Sequence, residues 1–330
     1  MQRHITINEH GRSLGLSGDR MLVREDRAVI AEYPLSRIKT ISVARPGISL
    51  SSNLVLACAL RGIKLFFLDF RGVPTMALSH THQHAACSVR ERQFIYIASQ
   101  QAEGLCKNLV YAKLRNQRAV LRYFGKYHRE VITAHALARA ADELERMGGM
   151  VRKFRSSGKR WRDDLMGYEG RAARIYWTTL AGTGLITSDF PGRKGRGARD
   201  HGNAALNLGY SVLQSYVWHC ILNAGLEPYA GVFHARRDGK PSLVLDLMEE
   251  YRPWVVDRTV IKNRNALNDA RSFHPGLRKR IIAGVHDTFS RSYPYRGRKV
   301  TLETILQRQV YRLAGEMCGR SNYRPYLFRW

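Results

Sequence analysis

Cysteine is scarce in this chain and nowhere paired. The five present (Cys58, Cys87, Cys106, Cys220 and Cys318) are odd in number and widely scattered, and no C-x-x-C spacing occurs. Neither a zinc ribbon nor a disulfide framework is therefore supported, and a reduced, cytoplasmic setting is expected. Long apolar runs are missing too: the stretch 54–60 is far too short to cross a bilayer, and Met1-Gln-Arg-His-Ile-Thr-Ile7 lacks the apolar core of a signal peptide. The absence of G-x-x-x-x-G-K-[ST] leaves a P-loop nucleotide motor unsupported, and no G-x-S-x-G elbow occurs. No internal repeat of useful period is found.

Acidic residues are the other shortage. Asp and Glu total 27 against 54 Lys and Arg, which leaves a net charge of +27 over 330 residues. Apolar residues make up 44%, ordinary for a globular protein, so the excess of positive charge sits on a chain able to bury a full core. The partner such a surface calls for is a polyanion. The basic residues are spread through the chain rather than gathered on one amphipathic segment, which favours nucleic acid over a membrane surface.

Two regions follow from the pattern. Residues 1–85 read as an antiparallel β-domain, with short alternating or apolar runs at 4–8, 21–23, 28–33 and 38–43 punctuated by Gly11, Gly18-Asp19, Glu25-Asp26 and Pro34. Ser51-Ser52 caps a short helix over 53–60, and 63–68 is a buried strand leading into a hairpin-like segment at 70–78. His80, His82 and His84 read as a solvated linker at the boundary. Residues 86–330 read as all-helical, with helices over 94–124, 129–147 (broken at Gly148-Gly149), 161–180, 200–224, 243–251, 259–266, 275–289 and 302–318. Asp200 is the N-cap of the fourth, and Ser242 caps the fifth. The fold class is α+β: a small sheet domain, then a larger helical one.

Glu169, His234 and the paired acids Asp246 and Glu249 stand out for chemistry. Glu169 lies on Tyr168-Glu-Gly-Arg-Ala-Ala-Arg174, where a helix groups it with Ala172, Ala173 and Tyr176 and leaves room for a ligand or another helix. Taken alone it reads as a solvated glutamate near a helix start. His234 follows the apolar approach Tyr229-Ala-Gly-Val-Phe233, and Asp246 and Glu249 share a face of the next helix, with Glu250 beside them. Neighbouring acids repel unless a cation or an arginine screens them, and Arg252 offers the alternative screen. A Glu/His/Glu set suits Mg²⁺ or Mn²⁺, the imidazole leaning toward Mn²⁺. Such a cation beside a basic surface points to chemistry on nucleic-acid phosphates.

At these residues the chain resembles the CRISPR-associated spacer integrase family ("Cas-one"). The likeness rests on Glu169-Gly-Arg-Ala-Ala-Arg174, Asp200-His-Gly-Asn-Ala-Ala-Leu-Asn-Leu-Gly-Tyr210, Gly225-Leu-Glu-Pro-Tyr-Ala-Gly-Val-Phe-His234 and Pro241-Ser-Leu-Val-Leu-Asp-Leu-Met-Glu-Glu-Tyr-Arg-Pro253. The resemblance implies a homodimerising β-domain and a helical catalytic domain whose metal ligands fall on Glu169, His234 and Glu249. Asp246 joins them as a catalytic position beside the ligands, fixing Glu249 or a metal-bound water, and Asn203 positions the surrounding helices. It further implies two homodimers clamping a dimer of the small "Cas-two" partner in a heterohexamer. That assembly joins spacer-precursor DNA to the CRISPR repeat by 3′-hydroxyl attack on a phosphodiester, in the nucleoid of a prokaryotic cytoplasm and without a membrane partner. Arg171, Arg174, Arg237 and Arg252 flank the ligands as candidate DNA contacts, and Arg193, Lys194, Arg196 and Arg199 form a basic loop that could grip the DNA backbone further off.

Two rival readings stay open on the residues. One is a transposon-type integrase of the same fold, whose relatives usually carry extra DNA-binding domains. The other is a non-catalytic scaffold that binds nucleic acid through charge alone.

Overall fold

The computed structural model describes residues 3–69, 74–78, 86–155, 160–195, 197–234 and 239–329. It separates into two compact units, Met1–His84 and Ala85–Trp330. The histidines at 80, 82 and 84 lie outside the described residues.

The first unit holds two four-stranded sheets. Strands β1 (Arg3–Ile7), β5 (Ile38–Val43), β7 (Lys64–Leu68) and β8 (Pro74–Leu78) lie in the order β1-β5-β7-β8. Strands β2 (Ser13–Ser17), β3 (Arg20–Glu25), β4 (Ala28–Pro34) and β6 (Ser49–Leu50) lie in the order β4-β3-β2-β6. The second sheet contains the expected hairpins; the turn between β3 and β4 places Asp26 and Arg27 at φ 48° and 69°, the left-handed pair that a two-residue hairpin loop requires. The expectation of a purely antiparallel domain is corrected by the first sheet, where β1 pairs with β5 and β5 with β7 in parallel. Alternation reports which face is buried and is silent on strand direction. Parallel neighbours need long crossovers, and helix α1 (Ser52–Leu60) supplies the one between β5 and β7. Ile5, Met21, Ile41, Leu54 and Leu65 are among the residues that close the core of this unit.

The second unit is built from α2 (Ala86–Ala98), α3 (Gln101–Tyr127), α4 (Val131–Lys153), α5 (Trp161–Gly182), α6 (His201–Asn223), α7 (Ser242–Arg252), α8 (Arg258–Lys262), α9 (Arg264–Asn268), α10 (Pro275–Ser290) and α11 (Leu302–Met317). It is not wholly helical: β9 (Ser292–Tyr295) and β10 (Arg298–Thr301) form a hairpin between α10 and α11, closed by Arg296-Gly297 at φ 50° and 81°. The expected break at Gly148-Gly149 is absent, and α4 runs through it. Gly148 faces α3 there: a Cβ on it would stand 3.4 Å from the Tyr111 ring, an ordinary contact. The run read as one helix over 94–124 divides instead at Ser99, whose hydroxyl donates to Tyr96 O (2.8 Å) and accepts from Gln101 N (3.2 Å).

Helix α6 is the centre of this unit. Every residue from Gly209 to Ile221 is buried, so the apolar stripe read from sequence widens to the whole circumference, the mark of a helix covered on all sides. Helix α7 packs against both α3 and α6. It starts at Ser242 with Pro241 as N-cap, which corrects the assignment of the cap to Ser242. It then runs through a π-helical turn, Pro253–Asp257, into α8; Arg258 N donates to Pro253 O, and the wider turn accommodates the proline without ending the helix. No helix among the described residues is long and apolar enough to cross a membrane.

Candidate active site

Glu169 lies just over two turns into α5, since the helix begins at Trp161. The macrodipole of a helix start therefore does not account for it. Its neighbours Ala172 and Tyr176 are fully buried, and α5 packs on α3 and α4 with Glu169 half-buried at the edge of that contact.

The side chain that meets Glu169 comes from α3. Lys113 Nζ donates to Glu169 Oε1 and stands 2.6 Å from Glu249 Oε2 on α7. One ammonium thus bridges two carboxylates that are eighty residues apart in the chain, and their facing oxygens lie no further apart than two ion-pair lengths. Burial opposes a charge on Lys113, yet Glu249 and Glu169 outweigh it and its pKa is raised. Burial likewise favours protonation of Glu249, but Arg252 and Lys113 overcome it, and His234 adds to their effect; the carboxyl is held down at about 2. Arg252 Nη1 lies 2.8 Å from Glu249 Oε1. The arginine screen and the acidic pair, alternatives on the sequence alone, occur together.

His234 is held by Asp246. Its Nδ1 lies 2.5 Å from Asp246 Oδ1, and that same oxygen accepts from His234 N at 3.0 Å. Asp246 Oδ2 accepts from Val232 N (2.7 Å) and Phe233 N (2.9 Å). Gly231 makes this approach feasible, because a Cβ there would stand 2.5 Å from Ser242 Cβ and 2.9 Å from Asp246 Oδ2. The expectation that Asp246 fixes Glu249 or a water is corrected: the fully buried carboxylate spends both oxygens on the His234 loop. Nδ1 being taken, Nε2 is the ring nitrogen left to face a cation.

Glu250, the next acid on α7, points away into the C-terminal segment. Its Oε2 accepts from Tyr323 Oη (2.5 Å) and its Oε1 from Tyr326 N (2.7 Å), and burial pushes its pKa up to about 7.

The candidate DNA contacts divide. Arg171 is exposed, its guanidinium 4.7 Å from the centre of the Tyr168 ring, and Arg199 is exposed. Arg174 lines a cleft of about 480 Å³ beside Glu169, together with Gly170, Ala173, Trp177, Arg193 and Lys194. Arg252 is committed to Glu249 and stacks 5.1 Å above the Tyr210 ring. Arg193 is committed as well: it donates to Asn203 Oδ1 (3.0 Å) and Asn207 Oδ1 (2.8 Å) and stacks on the other arginine's ring partner, Tyr210. It shapes the loop more than it can grip a backbone. Arg196 and Arg237 lie outside the described residues. Asn203 anchors that loop, accepting from Lys194 N (2.8 Å) and donating to Gly192 O (2.9 Å) and to Asp200, the N-cap of α6.

Two features escaped the sequence. Lys113 occupies the apolar stripe of α3 with buried Leu109, Asn116 and Val120, and a lysine on such a stripe was the available signal. Asp257 is buried beneath the site, accepting from Tyr210 Oη (2.5 Å) and Tyr176 Oη (3.0 Å), with burial raising its pKa to about 6.

Among the described residues, no three His, Cys, Asp or Glu side chains stand at spacing for a common metal ion. The acidic pair nevertheless fits a cation, because Glu169 and Glu249 already share one in Lys113. Hard carboxylate oxygens with one imidazole and no thiolate form a donor set for Mg²⁺ or Mn²⁺ rather than a structural zinc.

A family model described as CRISPR associated protein Cas1 matches residues 5–281. A CRISPR-associated endonuclease Cas1 from Francisella tularensis subsp. novicida (strain U112) is 44% identical over 330 residues, covering 99% of this chain and 100% of that one. The solved structure of a casposase bound to integration product matches with a TM-score of 0.78 at 19% identity, covering 100% of this chain and 95% of that one. A chain of a Cas6-RT-Cas1–Cas2 complex matches with a TM-score of 0.79 at 18% identity, covering 100% of this chain and 36% of that one. At such identities the two structures speak for the fold alone.

Proposed function

The chain belongs to the CRISPR-associated Cas1 family, and from that membership we infer that it is a DNA endonuclease and integrase of spacer acquisition. The observation that carries the reading to particular residues is the pairing of Glu169 and Glu249 on one cation; His234, held by Asp246, acts on Glu249 through its charge.

Glu169, Glu249 and His234 would hold a divalent Mg²⁺ or Mn²⁺, which would polarise a phosphodiester and offset the charge that builds during in-line displacement. The protein does the rest by placement. Asp246 fixes the ring and tautomer of His234 so that Nε2 presents its lone pair. Arg252 keeps Glu249 ionised and its carboxylate plane fixed. Arg174 and Lys194 line a cleft whose wall on α5 begins at Gly170, next in sequence to Glu169, and it is suited to backbone phosphates. The nucleophile comes from the DNA: its 3′-hydroxyl oxygen bonds to the target phosphorus as the bond to the target strand's own 3′-oxygen breaks. No covalent serine or tyrosine is needed. With water in place of the hydroxyl, the same arrangement cleaves.

The working partners are DNA, a second copy of this chain and a Cas2-type protein. The test is joining of a 3′-hydroxyl duplex into a supercoiled repeat plasmid, with Mn²⁺ or with EDTA and with the Cas2-type partner present. Glu169→Ala, His234→Ala and Glu249→Ala are each expected to abolish joining while DNA is still bound, and EDTA to do the same to the unaltered protein. Joining that survives all three substitutions overturns the assignment. Equal joining into a plasmid without repeats would favour the transposon-type reading.

A further inference from the structure

We infer that Lys113 is a resident counter-ion, which holds the acidic pair together in the metal-free protein and gives way when a divalent cation binds. This rests on the metal-dependent reading above and concerns how the site is kept ready.

The charges decide the matter. Glu169 and Glu249 carry two negative charges, and Lys113 and Arg252 neutralise them within ion-pair distance. The lysine side chain is only 12% exposed, so little water screens this group. A divalent cation entering between the carboxylates leaves an excess of two positive charges, and one resident cation must withdraw. Arg252 is the worse candidate, being fixed at Glu249 Oε1 and stacked on Tyr210, with Tyr210 itself bonded to Asp257. Lys113 occupies the two oxygens that face one another, Glu169 Oε1 and Glu249 Oε2, which are those a shared metal ion requires. It is also a compact charge on a flexible four-carbon stem, able to swing aside without breaking a fork of hydrogen bonds. In the metal-free protein the same ammonium prevents the carboxylates from repelling one another apart, so α5 and α7 stay in register.

Two measurements test this. The first uses the unaltered full-length protein: lysines are reductively methylated with and without Mn²⁺, and labelling is read by mass spectrometry, with exposed Lys299 as the internal standard. Lys113 is expected to be protected without metal and to label several-fold more with Mn²⁺; equal labelling overturns the inference. The second compares Mn²⁺ binding to the unaltered protein and to Lys113→Met by electron paramagnetic resonance. Removal of the competitor is expected to tighten binding by roughly tenfold, the equivalent of about 1.4 kcal/mol, and unchanged or weaker binding counts against it. Should Lys113→Met not fold, the labelling experiment stands alone. If the unaltered protein binds no Mn²⁺, the metal reading falls and this inference with it; if Mn²⁺ binds while Lys113 stays protected, only the displacement is wrong.

Discussion

Asp246 and Glu249 are three residues apart on one helix, yet burial and partners give them different work. Glu249 faces two cations and stays available as a ligand; Asp246 receives three backbone N–H groups and an imidazole. Asp246→Asn keeps the shape but loses the charge that orients the ring. It is expected to lower integration and Mn²⁺ affinity by about 10- to 100-fold, read from joining rates across a Mn²⁺ titration. Loss of joining with unchanged Mn²⁺ dependence would argue that Asp246 acts on something other than the ligand. Asp257 provides a pH test. Its folded pKa of about 6 stands above the ordinary carboxyl value of 3.8, so the folded protein holds the proton more tightly than the unfolded chain. Its contribution is therefore full below pH 3.8 and declines as pH rises towards about 6. The decline amounts to at most about 3 kcal/mol. Asp257→Asn is expected to flatten that part of the stability–pH curve in urea unfolding; an unchanged slope between these pH values refutes it. Lys113 and Asp257 could not be assigned from the chain because the significance of each lies in partners on other helices.

Helices were largely legible as elements, since an amphipathic period survives whatever packs against it. Asp200 was read as an N-cap and accepts from Asn203 N at 2.7 Å; the signal and the bond are both local. Misreadings arose where a neighbour decides. Gly148 looks like a breaker, yet α4 packed on α3 carries the helix through it, and strand direction in the first sheet depends on crossovers that alternation does not record. The C-terminal segment, read as no element at all, holds α7 from behind. Asn116 Nδ2 donates to Glu250 O (2.7 Å) and Tyr326 O (3.1 Å), while its Oδ1 accepts from Phe328 N (2.9 Å). Asn116 stands one turn beyond Lys113 on α3, so the clasp and the acidic pair share the α3–α7 contact. Asn116→Ala removes three hydrogen bonds to backbone groups, two of them buried, and is expected to cost about 3 kcal/mol in urea unfolding. A cost under about 1 kcal/mol, the scale of one ordinary hydrogen bond, would show that the clasp contributes little.

Over the whole molecule, the net charge of +27 is a property that composition alone delivers. It predicts DNA binding that weakens steeply with salt, each neutralised phosphate adding about −0.9 to the slope of log affinity against log salt. A flat dependence in a fluorescence titration between low and physiological salt would remove charge as the basis of binding. The sequence by itself determined the division into a β-rich and a helical part, the basic character, and which acids and histidine merit attention. All of these follow from residue type, local period and spacing. Tertiary structure alone decided that Glu169 and Glu249 meet on Lys113, that Asp246 serves His234, and that Arg193 and Arg252 are committed inside the protein. Those outcomes depend on how α3, α5, α6 and α7 pack, and side chains far apart in the chain acquire common partners only when burial brings their helices together.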